Sequence, residues 1–199
     1  MAFQQFSFPQ VIQDLSLTLG EKDLFGGIAP AAVRPDFLAQ LLENANLAGA
    51  VNTEKARSEF VIAPVLIELR RSHGGSFGLF SGVELDADAS RGLNGVCDFL
   101  LTKSPVQHVV TQPIMALVEA KNENLRTGLG QCIASMAAAQ LFNQGNAGPV
   151  NIVHGAVTTG SLWKFLKLAG NEVTLDVVEY HIDNLGKIMG VLGEIVRSA

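Results

Sequence analysis

Hydrophobic and polar positions divide the chain into a preface and an α/β body. In the preface, Phe3, Phe6 and Phe8 interleave with polar residues, and Pro9 suits the first turn of a short helix through Leu15. Gly26-Gly27 and Pro30 then mark a loop. After Pro35, the residues Phe37, Leu38, Leu41, Leu42 and Leu47 recur at near-helical spacing, so Asp36–Leu47 is expected to be a helix. Residues 1–50 therefore read as an N-terminal helical extension packing on a domain at 51–199.

The body opens with a helix that Asn52 or Thr53 can cap, running to about Arg71, with Glu54 in its first turn. Phe60–Ile67 is apolar throughout, which marks a buried helix, and Pro64 removes the bond to the Phe60 carbonyl, so a kink is expected there. In this register Glu59 shares a face with Ile62, Ala63 and Leu66, an inward position. Phe77–Leu85 and Gly95–Leu101 read as a hairpin. Its loop contains Asp86 and Asp88 but lacks the glycine and terminal Glu spacing of a calcium loop.

A strand Ile114–Lys121 follows Pro113, and Asn122-Glu123-Asn124 separates it from a helix Leu125–Asn143. Gly128, Cys132, Ser135 and Ala139 give that helix a small-residue face for close approach to a sheet. After a turn at Gly145–Pro149, strands are expected at Asn151–Val157, Leu162–Leu168 and Glu172–Ile182. Asp183 then caps a last helix whose Leu185, Ile188, Met189, Leu192, Ile195 and Val196 form a broad apolar face. That face would cover the sheet, or join a second copy as a homodimer. The order of helix, three strands, helix and strand predicts an α/β fold with a mixed central sheet flanked by helices.

At 199 residues the chain suffices for one sizeable core, and 48% apolar with 17% charged residues excludes disorder. The net charge of −5 argues against a long nonspecific grip on nucleic acid, while leaving room for a local basic patch. Cys97 and Cys132 form no C-x-x-C pair and read as small reduced core residues. No apolar run reaches the roughly 20 residues of a membrane span, and Met1 does not open a basic-then-apolar leader. A cytoplasmic protein without a membrane segment is expected. His73, His108, His154 and His181 are scattered, with no metal-ligand spacing.

The chemistry concentrates between Gly95 and Gln131. Asp98 interrupts one apolar strand, and Glu119 and Lys121 end another, two residues apart and hence on one face. Burying such groups unpaired costs several kcal/mol, and a divalent metal is one compensation. Two carboxylates on neighbouring strands can hold Mg²⁺ while a lysine beside them meets an anionic substrate. The bland alternative is a strand-end ion pair, contributing at most about 1 kcal/mol at a surface.

With Asp98, Glu119-Ala120-Lys121 and Gln131 on this order of elements, the chain resembles the PD-(D/E)xK nuclease superfamily over roughly Thr53 to Ile182. The nearest flavour is that of type I restriction subunits and RecB-like nuclease domains, where a Gln follows on the next helix. The resemblance implies a restriction-endonuclease-like fold and a restriction- or repair-type nuclease acting on DNA with Mg²⁺, or Mn²⁺ as substitute. Asp98 and Glu119 would bind the metal, the Ala120 carbonyl would add a ligand, and Lys121 would position or activate the attacking water. Gln131 would help hold substrate or water. The first-helix acid would fall on Glu59, with Glu68 as the weaker candidate. Cys97 stands where the family places Pro. Two other readings compete: an idle descendant of the fold serving as a binding or assembly module, and an unrelated enzyme in which Asp98 and Glu119 stand more than about 8 Å apart, too far to share one metal.

Overall fold

The middle of the molecule is β4 (Ile114–Ala120), in which every residue is buried. A strand covered on both faces reads as a continuous apolar run, which is what Ile114–Val118 supplies. It pairs antiparallel with β3 (Leu93–Thr102) and parallel with β5 (Ile152–Thr158), the parallel pair being joined across α5 (Leu125–Asn143). The computed structural model describes residues 3–145 and 152–198. Residues 146–149 of the expected turn and Asn151 at the expected start of β5 lie outside them.

β2 (Gly78–Asp88) pairs with β3, while β6 (Leu162–Ala169) and β7 (Glu172–His181) extend the sheet beyond β5. With β1 (Thr18–Lys22) the seven strands run β1-β7-β6-β5-β4-β3-β2. The expected mixed α/β sheet is present. On one face lie α2 (Pro35–Val51), α4 (Ala63–Ser72) and α6 (Leu185–Ser198), which share a core with Phe99, Val118, Trp163 and Phe165. The other face is covered by α5, together with Phe3, Val11 and Leu15 from the N-terminal segment. α6 is buried along Leu185, Ile188, Met189, Leu192 and Ile195, and α4 and β7 pack against it. The apolar face considered for a homodimer is thus covered within the chain.

The N-terminal fifty residues are woven into the domain. β1 was not expected, yet it pairs in parallel with β7 from Thr18 opposite Glu172 to Lys22 opposite Asp176. Four of its five residues are exposed, so it carries no inward–outward alternation to reveal it. α1 (Gln10–Asp14) precedes it, as the position of Pro9 suggested.

The expected long helix from Asn52 to Arg71 is three pieces. Asn52 ends α2 in a left-handed conformation, with φ of 51°, and Thr53 caps α3 (Glu54–Arg57) by accepting a bond from the Ala56 amide at 3.1 Å. A π-helical turn at Ser58–Ile62 follows, and then α4. Pro64 explains the break, since it has no N–H to continue the ladder. The Phe60 carbonyl instead accepts a bond from Asn44 Nδ2 of α2 at 3.1 Å.

Candidate functional site

The site forms where β4 ends. The register between β3 and β4 slips near Leu101 and Thr102, and beyond it the strand alternates regularly. Ala116, Val118 and Ala120 enter the α4 and α6 core, whereas Leu117 enters the α5 core. Glu119 and Lys121 follow Leu117 at spacings of two, so both face α5. Room for the lysine comes from Gly128, where a Cβ would stand 2.9 Å from Lys121 Cγ and 2.6 Å from Val157 Cγ1.

Lys121 Nζ lies 2.7 Å from Glu119 Oε1, 3.4 Å from Gln131 Oε1 and 3.9 Å from Glu54 Oε2. Its backbone N–H donates to the Thr158 carbonyl on β5 at 2.8 Å.

Asp98 arrives from β3 through a break in the β2–β3 ladder. Ser81 opposes Phe99 and Val83 opposes Cys97, so Gly82 stands opposite Asp98, and its φ is +65°. Alternation slips at this level in both strands: Phe80 and Val83 belong to the α5 side, as does Cys97, while Phe99 belongs to the opposite core. Glycine enters the left-handed region without the Cβ penalty. The Asp98 carboxylate turns to β4, where Oδ2 accepts the Ala120 N–H at 2.8 Å. A glycine inside an apolar strand was the available signal of this irregularity.

Glu119 is only 4% exposed. Burial pushes its carboxyl up to about 8, the Asp98 charge and a hydrogen bond with Asp98 add to the rise, and Lys121 opposes it. The Asp98 carboxylate, held on the Ala120 amide, is thus close enough for its charge to be felt at Glu119. Burial pulls the Lys121 ammonium down, but the charges of Glu119, Glu54 and Asp98 outweigh it, and the group is held above its ordinary range. Cys97 and Cys132 are free and buried, as expected. Burial, with Glu119 and Asp98 nearby, pushes the Cys97 thiol up to about 12, and the Cys132 thiol is also raised. Neither supplies a nucleophile near neutral pH.

A cleft of about 290 Å³ opens beside Asp98 and Ala120, lined also by Glu54, Lys55, Ser58, Glu59 and Ser81. Asp98, Glu119, Ala120, Lys121 and Gln131 are all brought together. Glu59 is not: it pairs with Lys55 at 2.6 Å, more than half exposed, at the edge of the cleft. The π-helical turn changes the helical register on which its inward placement rested. Glu68 is farther from consideration, buried between Arg71 and Arg34, whose hydrogen bonds and charges hold its carboxyl below the usual range against the opposing effect of burial. The helix acid that reaches Lys121 is Glu54, which sequence reasoning had set aside as a first-turn charge.

No family model and no curated protein matches this chain. Among the described residues, no three His, Cys, Asp or Glu side chains gather as a metal cage. A hard cation that keeps several waters needs fewer protein ligands, and Asp98 and Glu119 with the Ala120 carbonyl are the groups that would hold one. The nearness of the two carboxyls fits this role, because a divalent charge beside them would offset both the burial and the Asp98 charge that raise Glu119.

Proposed function

We propose that the chain is a divalent-metal-dependent nuclease that hydrolyses phosphodiester bonds in DNA, with Mg²⁺ as the natural ion and Mn²⁺ as a substitute. The observation that carries this reading is the meeting of Asp98 and Glu119 from adjacent strands with Lys121 and Gln131, beside an open cleft.

When bound, the metal would supply Lewis acidity and positive charge toward the phosphate. The chain's own residues do the rest. Asp98 is fixed by the Ala120 amide, so its carboxylate is oriented before any ligand arrives. Lys121 brings a half-buried positive charge to the same place, available to a phosphate and to the charge that develops on it in the transition state. Gln131 accepts a hydrogen bond from Lys121 and steadies it. Glu54 completes the lysine's surroundings from α3.

The test is cleavage of linear, circular and single-stranded DNA by the wild type and by folded Glu119→Ala and Lys121→Ala variants. Loss of metal-dependent cleavage in both variants is expected, and cleavage at wild-type rates refutes the assignment. A second reading, an idle nuclease fold serving as a binding or assembly module, draws on the 2.7 Å hydrogen bond from Lys121 to Glu119, which engages both groups without a metal. Tight self-association with no metal binding would favour it.

A further inference from the structure

We infer that Arg57 is the positioning residue of this site, holding Lys121 and Glu54 in place against the Asp98–Glu119 pair. The inference rests on the nuclease reading for its catalytic meaning and on geometry for the clamp itself.

Arg57 is the last residue of α3, immediately before the π-helical turn. Its guanidinium donates in three directions: Nε to Asn122 Oδ1 at 3.0 Å, Nη1 to the Thr159 carbonyl at 3.3 Å and Nη2 to Asn52 Oδ1 at 3.1 Å. Three segments that are distant in sequence are thereby tied to one planar group: the α2–α3 junction, the β4–α5 link and the β5–β6 turn. The lock is reinforced around its rim. Asn122 Nδ2 donates to the Asn52 carbonyl at 3.3 Å, and Asn52 Nδ2 donates to Glu123 Oε1 at 3.2 Å.

Each tie bears on a site residue. Asn122 follows Lys121 directly, so fixing its side chain fixes the backbone from which the lysine projects. Thr159 follows Thr158, whose carbonyl holds the Lys121 amide. Glu54 lies on the same single turn of helix as Arg57, so clamping Arg57 sets the 3.9 Å approach of Glu54 to Lys121.

The alternative role for an arginine in a nuclease cleft, gripping a substrate phosphate, does not fit. Three of its five N–H donors, one on each nitrogen, already serve protein acceptors and fix the plane of the guanidinium, and Arg57 does not line the cleft beside Asp98. A rigid guanidinium fork suits three fixed acceptors in a way a lysine ammonium does not.

The test uses Arg57→Ala and Arg57→Lys in the full chain. It measures amide hydrogen exchange, Mn²⁺ affinity by calorimetry, and DNA-cleavage kcat and KM. In Arg57→Ala, exchange at the Lys121 amide, which donates to the Thr158 carbonyl, should quicken roughly tenfold or more while Ala116–Val118 stays protected. Mn²⁺ affinity should hold within about twofold, because the carboxylates sit on strands that Arg57 does not touch. Misplacing a group by about 1 Å can cost around a hundredfold, so kcat should drop roughly 10- to 100-fold with KM little changed, and Arg57→Lys should fall between. Unchanged exchange at the Lys121 amide overturns the clamp whatever the activity. Faster exchange with unchanged kcat overturns its positioning role. If the wild type itself cleaves no DNA, the nuclease reading fails and the exchange data alone decide the clamp.

Discussion

Acidification should unlock β5 through His154. Its ring is 8% exposed, faces the Phe25 ring at 6.2 Å between centroids, and stands opposite Lys167 across the β5–β6 ladder. Burial pulls the imidazole down to about 4 from its ordinary 6.5, and the Lys167 charge adds to the fall. Between those values the unfolded chain binds a proton that the folded chain refuses, so stability rises with pH across this window and is lost as pH falls. A gap of about 2.5 units at 1.36 kcal/mol each sets a ceiling near 3 kcal/mol, with about 2 kcal/mol already lost at pH 5 relative to pH 7. The assay is urea unfolding of the wild type and of His154→Gln at pH 7, 6, 5 and 4, each pair compared at the same pH so that other titrating groups cancel. The wild type should lose stability relative to the variant by roughly these amounts. A difference that stays constant from pH 7 to pH 4 would refute the assignment of a neutral buried imidazole.

Glu119 runs in the opposite sense. Its folded-state value is raised to about 8, so the stability it contributes is complete below the ordinary carboxylate range and is lost as pH rises through about 8. Thermal melting of the wild type and Glu119→Gln from pH 5 to pH 9 should therefore shift in the variant's favour as pH rises; a shift the other way contradicts the buried, protonated carboxyl. Gly128→Ala places a methyl against Val157 and the Lys121 stem, and overpacking of that kind costs about 1–3 kcal/mol, to be read in a urea midpoint. Gly82→Ala meets no neighbouring atom, so any loss, about 1 kcal/mol, comes from the left-handed backbone alone. Equal stability of Gly82→Ala and wild type would show that the strand relaxes there.

Local pattern carried most of the fold. α5 has the expected ends, Leu125 and Asn143, because Asn124 caps it through the Arg126 amide and its small residues admit close packing. Strands β2 to β7 were legible as apolar runs between turn residues. β1 was not, since a mostly exposed parallel edge strand owes its existence to a partner about 150 residues away. Within the site, Asp98, Glu119 and Lys121 could be named because each is a polar interruption at an apolar strand, and Gln131 only through the resemblance to the nuclease pattern. Helical periodicity pointed to Glu59, with Glu68 behind it, and so missed Glu54, because the π-helical turn before Pro64 resets the phase. Arg57 gave no signal at all: its meaning comes from three acceptors assembled only by the tertiary fold.

The nuclease function proposed for this chain requires that Asp98 and Glu119 hold a divalent ion that serves DNA cleavage. The direct measurement is calorimetric titration of Mn²⁺ and Mg²⁺ into the wild type and an Asp98→Asn, Glu119→Gln variant, each then incubated with linear, circular and single-stranded DNA. Metal binding and cleavage that are present in the wild type and both vanish in the variant are what the account predicts. A wild type that binds neither ion, or a variant that binds and cuts as the wild type does, contradicts it.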